Sequence, residues 1–136
     1  RAAIDELMCR YDVVRLYADP PYWDTEVDEW VDAYGDRRVI RWHTRRTVQM
    51  HAAAERLKTD VTKANTAFTH DGCPIAAAHV ANARTAARPG DRYVLRKASA
   101  AQKIDVAVSS ILAHEAACDV IAAGLATRKK NYVYTA

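Results

Sequence analysis

The sequence predicts a mixed α/β domain, and three observations carry the prediction. Between residues 13 and 42 a strand pattern, a helical pattern and a second strand pattern follow one another. That is the βαβ unit of a parallel sheet. A later segment, about Arg45 to Asn65, repeats apolar residues at three- and four-residue steps, the signature of a helix with one buried stripe. The glycines and prolines fall at the breaks between these patterns: Pro20, Pro21, Gly35, Gly72, Pro74, Pro89, Gly90 and Gly124.

A chain of 136 residues is expected to form one domain. At that length roughly two thirds of the unfolded surface is buried, enough for a core. Apolar residues make up 50% and charged residues 27%, an ordinary globular balance. No apolar run approaches the ~20 residues that cross a bilayer, so no membrane partner is expected. The opening Arg1-Ala2-Ala3-Ile4-Asp5-Glu6 is charged and lacks the apolar region of a signal peptide. Three well-separated cysteines, Cys9, Cys73 and Cys118, point to thiols in a reducing compartment. The net charge is only +3, but it is unevenly spread over Arg37–Arg46, Arg84–Lys103 and Arg128-Lys129-Lys130. Such runs are ordinarily solvated, and a polyanion would also be drawn to them. The sequence begins without Met and runs at once into a helix, so it reads as a piece of a longer protein.

Each element follows from its residues. Residues 2–10 form a short helix. Val13–Ala18, with β-branched and aromatic content, form a strand that Asp19-Pro20-Pro21 must end, because two prolines remove two ladder donors. Asp24 or Thr25 caps a helix through Val27, Trp30, Val31 and Tyr34, with Gly35 as its stop. Arg38–Trp42 is a second short strand. A long helix runs from about Arg45 to Asn65, its buried stripe being Met50, Ala53, Ala54, Leu57, Val61 and Ala64. Pro74 opens another helix, expected to reach about Ala86, and Arg88-Pro89-Gly90-Asp91 is a break. Arg92–Lys97 is a third strand. Ser99-Ala100-Ala101-Gln102 has the capping-box pattern and is expected to open a last helix ending at Gly124. Residues 127–136 form a polar tail.

Two acids stand out. Asp19 lies at the carboxyl end of a strand, where sites form in α/β sheets, although an Asp before Pro also simply caps a turn. Asp105 is expected in the second turn of a last helix that is apolar nearly all round, on the side of Ser109 and Leu112. A carboxylate buried there needs a cation, a donor network or water, since an unpaired buried charge costs several kcal/mol. A salt bridge to Lys97, Lys103 or an arginine satisfies it; so does a divalent ion shared with Asp19.

Other motifs compete. Asp19-Pro20-Pro21-Tyr22 has the form of the amino-methyltransferase loop that holds a flipped base. No GxG turn accompanies it to bind S-adenosylmethionine. His114-Glu115-Ala116-Ala117-Cys118 imitates the zinc motif HExxH with Cys in the last place, and i, i+4 spacing puts His114 and Cys118 on one face. That face is largely apolar, and Cys and His are commonly buried without metal. His70-Asp71-Gly72-Cys73 suggests a dyad, but a turn before a helix-opening proline accounts for it. No Walker A pattern is present.

Several stretches in a fixed order carry a resemblance. YADPPYW, a following helix, a long helix, FTHDGCP, His79-Val80-Ala81-Asn82-Ala83, and YVLRK before KIDVAVSSILAHEAA together resemble the C-terminal nuclease domain of phage terminase large subunits of actinobacterial phages and prophages. The likeness runs from about residue 4 to 124. It implies an RNase H-like nuclease core over residues 1–126, with a short, mainly parallel sheet flanked by helices and its first strands missing. It further implies endonucleolytic cleavage of concatemeric double-stranded DNA in the host cytoplasm during genome packaging, with two Mg²⁺ or Mn²⁺ ions. By resemblance, Asp19 and Asp105 are the catalytic metal ligands. Under that reading the basic residues Arg45, Arg46, Lys97 and Lys103 are expected to face DNA phosphates, giving salt-dependent, sequence-independent affinity. His70 and Asn82 match recurrent polar positions. The small terminase subunit and the portal are the partners implied for the full-length protein. A further catalytic Asp of that family lies on a first strand expected before residue 1, which bears on activity of this chain alone. The alternatives are a methyltransferase fragment and a non-catalytic piece that binds DNA or another subunit.

Overall fold

The structure is a computed structural model and describes residues 2–126. The polar tail expected at 127–136, with its Arg128-Lys129-Lys130 cluster, lies outside the described residues. The elements run α1 Ala2–Arg10, β1 Leu16–Ala18, α2 Asp24–Tyr34, β2 Val39–Arg41, α3 Thr47–Thr62, α4 Pro74–Asn82, β3 Ala83–Arg88, β4 Arg92–Lys97 and α5 Asp105–Ala122. The chain is therefore mixed α/β. Among the described residues, no helix is long and apolar enough to cross a membrane.

The βαβ unit forms as its sequence requires. β1 and β2 pair in parallel, with Leu16 opposite Val39 and Ala18 opposite Arg41, and α2 makes the connection between them. The ladder is extended by one bond, from Trp42 N–H to the Ala18 carbonyl at 2.8 Å, before the prolines stop it. Val27 of α2 and Val39 of β2 are fully buried, so the helix is held by its one inward valine face. Gly35 ends α2 at φ 91, where a Cβ would be strained.

The core lies where α3 crosses α5. Trp42, Met50, Ala53, Ala54, Ile111 and Leu112 form one buried cluster, and Tyr17, Leu57, Tyr93, Leu95 and Val108 pack around it. Ala53 has no exposed surface; its small side chain leaves room for the facing residues of α5. α3 packs on α5 and β4, while α5 packs on α4 and β1. The two long helices thus join the parallel pair to the rest of the domain.

Five expectations are corrected. The sheet is not mainly parallel: the described strands form two separate two-stranded sheets, one parallel and one antiparallel. The helix opened by Pro74 stops at Asn82, and residues 83–88 are β3, paired with β4 from Ala83–Lys97 to Arg88–Arg92. Alanine and arginine in ARTAAR favour helix locally, but the partner strand and the turn override them. Gly90 at φ 77 and Asp91 at φ 54 close that hairpin. Ser99 does not open the last helix: residues 99–101 are a turn and α5 starts at Asp105. Nor is α5 buried all round. Ala107, Ile111, Leu112, Glu115, Ala116 and Val120 face inward, whereas Ile121 is 66% exposed. At the end of α3, Val61 and Ala64 are likewise exposed, so the buried stripe is Met50, Ala53 and Ala54, with Leu57 half-buried.

Candidate functional site

Asp19 follows β1 at the carboxyl edge of the parallel pair. Its half-buried carboxylate accepts the Thr44 backbone N–H at Oδ1 (3.2 Å) and the Thr44 hydroxyl at Oδ2. Thr44 lies between β2 and α3, so Asp19 ties the ends of both strands together. Each oxygen retains a lone pair, because a carboxylate offers about four acceptor sites.

Asp105 is the first residue of α5 and is exposed, not buried in a second turn. The cap is formed later than the sequence suggests, which moves the acid from the helix flank to its end. Among the described residues its carboxylate makes no hydrogen bond or ion pair. An acid at a helix amino terminus is favoured by the helix dipole.

Two α4 side chains hold that end of α5. His79 Nδ1 accepts the Val106 backbone N–H at 3.1 Å, and Asn82 Nδ2 donates to the Lys103 carbonyl at 3.1 Å. Asn82 is thereby given a positioning role that its sequence context did not reveal. His70 serves its own turn, its Nδ1 accepting the Gly72 N–H at 3.0 Å. Asp71 does the same for the Cys73 N–H at 2.9 Å, so residues 70–73 are a turn and not a His–Cys dyad. This turn borders a groove of about 660 Å³ that also involves Leu57, Phe68, Val80 and Tyr93.

Arg45, Arg46, Lys97 and Lys103 are all exposed. Arg45 and Arg46 stand just after Thr44, at the start of α3; Lys97 ends β4 and Lys103 precedes α5. Each pair is therefore next in sequence to a segment bearing one of the two acids or its partner.

A polar seam runs between α3 and α5. Arg56 Nη1 is 3.0 Å from Glu115 Oε2, yet out of line for a hydrogen bond, and that buried oxygen has no other partner. Burial pushes the Glu115 carboxyl up, and the Arg56 charge opposes it. One turn further on, Asp60, His114 and Cys118 bring three ligand-type atoms within 4.8 Å of one another, and no other group of three or more occurs among the described residues. Asp60 is held below the usual carboxylate range, first by Lys63 and then by His114. The sequence exposes the His114–Cys118 spacing, but Asp60, 54 residues from His114, is brought in only by the helix crossing.

At the residue after Cys118, still near the carboxyl end of α5, Asp119 accepts the Tyr17 hydroxyl. Burial first, and then the Asp119 carboxylate, push the Tyr17 phenol up to about 12.

The chain is similar to two phage proteins, each named only as a gene 13 protein. The one from Mycobacterium phage D29 is 30% identical over 129 residues, covering 88% of this chain and 22% of the relative. The one from Mycobacterium phage L5 is 28% identical over the same length and shares. The chain thus spans about a fifth of the length of the curated relatives it matches. No family model and no solved structure matches it.

Proposed function

We propose that this chain is part of the nuclease domain of a phage terminase large subunit, with an RNase H-like core, and that it cleaves double-stranded DNA with divalent metal. The observation that carries the reading is Asp19 standing at the carboxyl edge of a parallel β pair, where α/β folds gather their sites. The ordered likeness of five sequence stretches and the two phage relatives, each matched over 88% of this chain, support it.

The donor set fits a hard cation. Asp19 is held in place by Thr44 and keeps free lone pairs, and Asp105 is an accessible carboxylate at a braced helix end. Mg²⁺ and Mn²⁺ take oxygen ligands and keep several waters, so few protein carboxylates suffice. When bound, such ions activate water and stabilise the leaving oxygen of a phosphodiester. Asp19 and Asp105 would hold them. Thr44 orients the Asp19 carboxylate, His79 and Asn82 set the approach of Asp105, and Arg45, Arg46, Lys97 and Lys103 neutralise phosphates without reading sequence.

The test is a Mn²⁺ titration of the chain and of Asp19→Asn and Asp105→Asn, with plasmid nicking by this chain and by one extended upstream. Weaker Mn²⁺ binding in each variant is expected, with nicking strongest in the extended chain. Unchanged binding in both variants rejects the assignment. In DNA binding, Arg45→Ala and Arg46→Ala are each expected to reduce the salt slope by about one. Thermal stabilisation by S-adenosylmethionine, with none by metal, would favour the methyltransferase alternative.

A further inference from the structure

We propose that Asp60, His114 and Cys118 form a binding site for one Zn²⁺-class transition-metal ion that clasps α3 to α5. The site shares no residue with the Asp19 and Asp105 pair and does not depend on the nuclease reading.

Three donors of different chemistry converge from two helices. His114 and Cys118 are one turn apart on α5 and share a face. Asp60 reaches them from α3, its Oδ2 lying 2.9 Å from His114 Nε2. Cys118 Sγ lies 3.9 Å from the same nitrogen. In a tetrahedral zinc site the bonds are about 2.0 Å to nitrogen and oxygen and about 2.3 Å to sulfur, which separates donors by about 3.3–3.6 Å. The two His114 separations are a few tenths of an ångström from that geometry, and Asp60 and Cys118, within 4.8 Å of each other, close on the ion as it binds.

The donor types select the metal. Thiolate and imidazole favour Zn²⁺ and its neighbours over Mg²⁺ or Ca²⁺, which take oxygen. The thiolate and the Asp60 carboxylate together offset the charge of the ion. On binding, the Cys118 thiol gives its proton to solvent, since the thiolate is the ligand form. Lys63 Nζ holds the other Asp60 oxygen at 2.8 Å, orienting the carboxylate as outer partners orient metal ligands. All three residues are half-buried, so an ion can enter, and the fourth tetrahedral position is left to water. Without metal, the Asp60–His114 contact is an ordinary helix-to-helix hydrogen bond.

The test uses the 136-residue chain with Cys9→Ser and Cys73→Ser, so that Cys118 is its one thiol. Co²⁺ alone is titrated in and followed by absorption. One Co²⁺ per chain is expected, with a thiolate-to-cobalt charge-transfer band and tetrahedral ligand-field bands, all erased by Zn²⁺. Cys118→Ser should abolish the charge-transfer band, and Asp60→Asn and His114→Asn should each weaken Co²⁺ binding by more than about tenfold. Zn²⁺ should raise the Tm of the parent and not that of Cys118→Ser. A parent chain without the charge-transfer band overturns the proposal. So does unchanged affinity in Asp60→Asn, a near-isosteric change at a half-buried helix position that keeps the decision open even where His114→Asn does not fold. Mn²⁺ binding that responds to Asp19→Asn is expected to persist in all three variants, which separates this site from the other.

Discussion

His79 Nδ1 accepts the backbone N–H of Val106 at 3.1 Å, so a histidine of α4 caps the amino terminus of α5. The capping position itself is Ile104, which has no side-chain acceptor to offer. The acceptor therefore comes from another helix, and the same contact fixes where Asp105 begins α5. His79→Ala is expected to cost about 0.5–2 kcal/mol, the range for loss of a helix cap. Chemical denaturation measures it. Under the nuclease reading, Mn²⁺ affinity at Asp105 falls in the same variant while helix content is retained.

Alkaline pH should loosen the contacts of two tyrosines. Tyr17 donates to Asp119 and Tyr93 to Glu55 (2.6 Å), and burial followed by the carboxylate pushes both phenols up to about 12. A folded value above the unfolded 10.0 means that the contribution is complete below about pH 10 and is lost as pH rises toward 12. Tyr17→Phe and Tyr93→Phe should each flatten the fall in Tm across that window. A fall of equal steepness in the double variant would contradict the assignment.

Arg56 and Glu115 make a lopsided pair, since Glu115 is buried and the guanidinium is 45% exposed. Arg56→Met leaves the carboxylate uncompensated and should destabilise the fold by about 1–3 kcal/mol. Arg56→Met with Glu115→Leu should recover most of that loss, because replacing both partners by apolar groups is often neutral. For Glu115 the folded pKa is raised by burial, so its contribution is full below the unfolded 4.5 and declines as pH rises through the folded value. Glu115→Gln should remove that decline, which urea midpoints at pH 4 to 7 would show.

Much of the fold could be read from single segments. Double proline at 20–21, glycine at 35 and the Pro89-Gly90-Asp91 turn are local backbone constraints, and each ends an element as expected. β4 falls at Arg92–Lys97 as its residues indicate, and the parallel pairing follows from strand, helix and strand in about thirty residues. The stripe of Met50, Ala53 and Ala54 is local periodicity, and it is buried.

From the sequence alone came the breaks at 20–21, 35 and 89–91, the apolar stripe of Met50, Ala53 and Ala54, and the place of Asp19 just after a strand. The tertiary structure decided the rest. β3 exists because β4 pairs with it against its own helix-forming composition. Asp105 sits at a helix end because α4 supplies the cap. Asp60 meets His114 and Cys118 only where α3 crosses α5. Periodicity and turn chemistry act over a few residues, whereas strand pairing, capping in trans and converging ligands join positions far apart in the chain, and only packing brings those together.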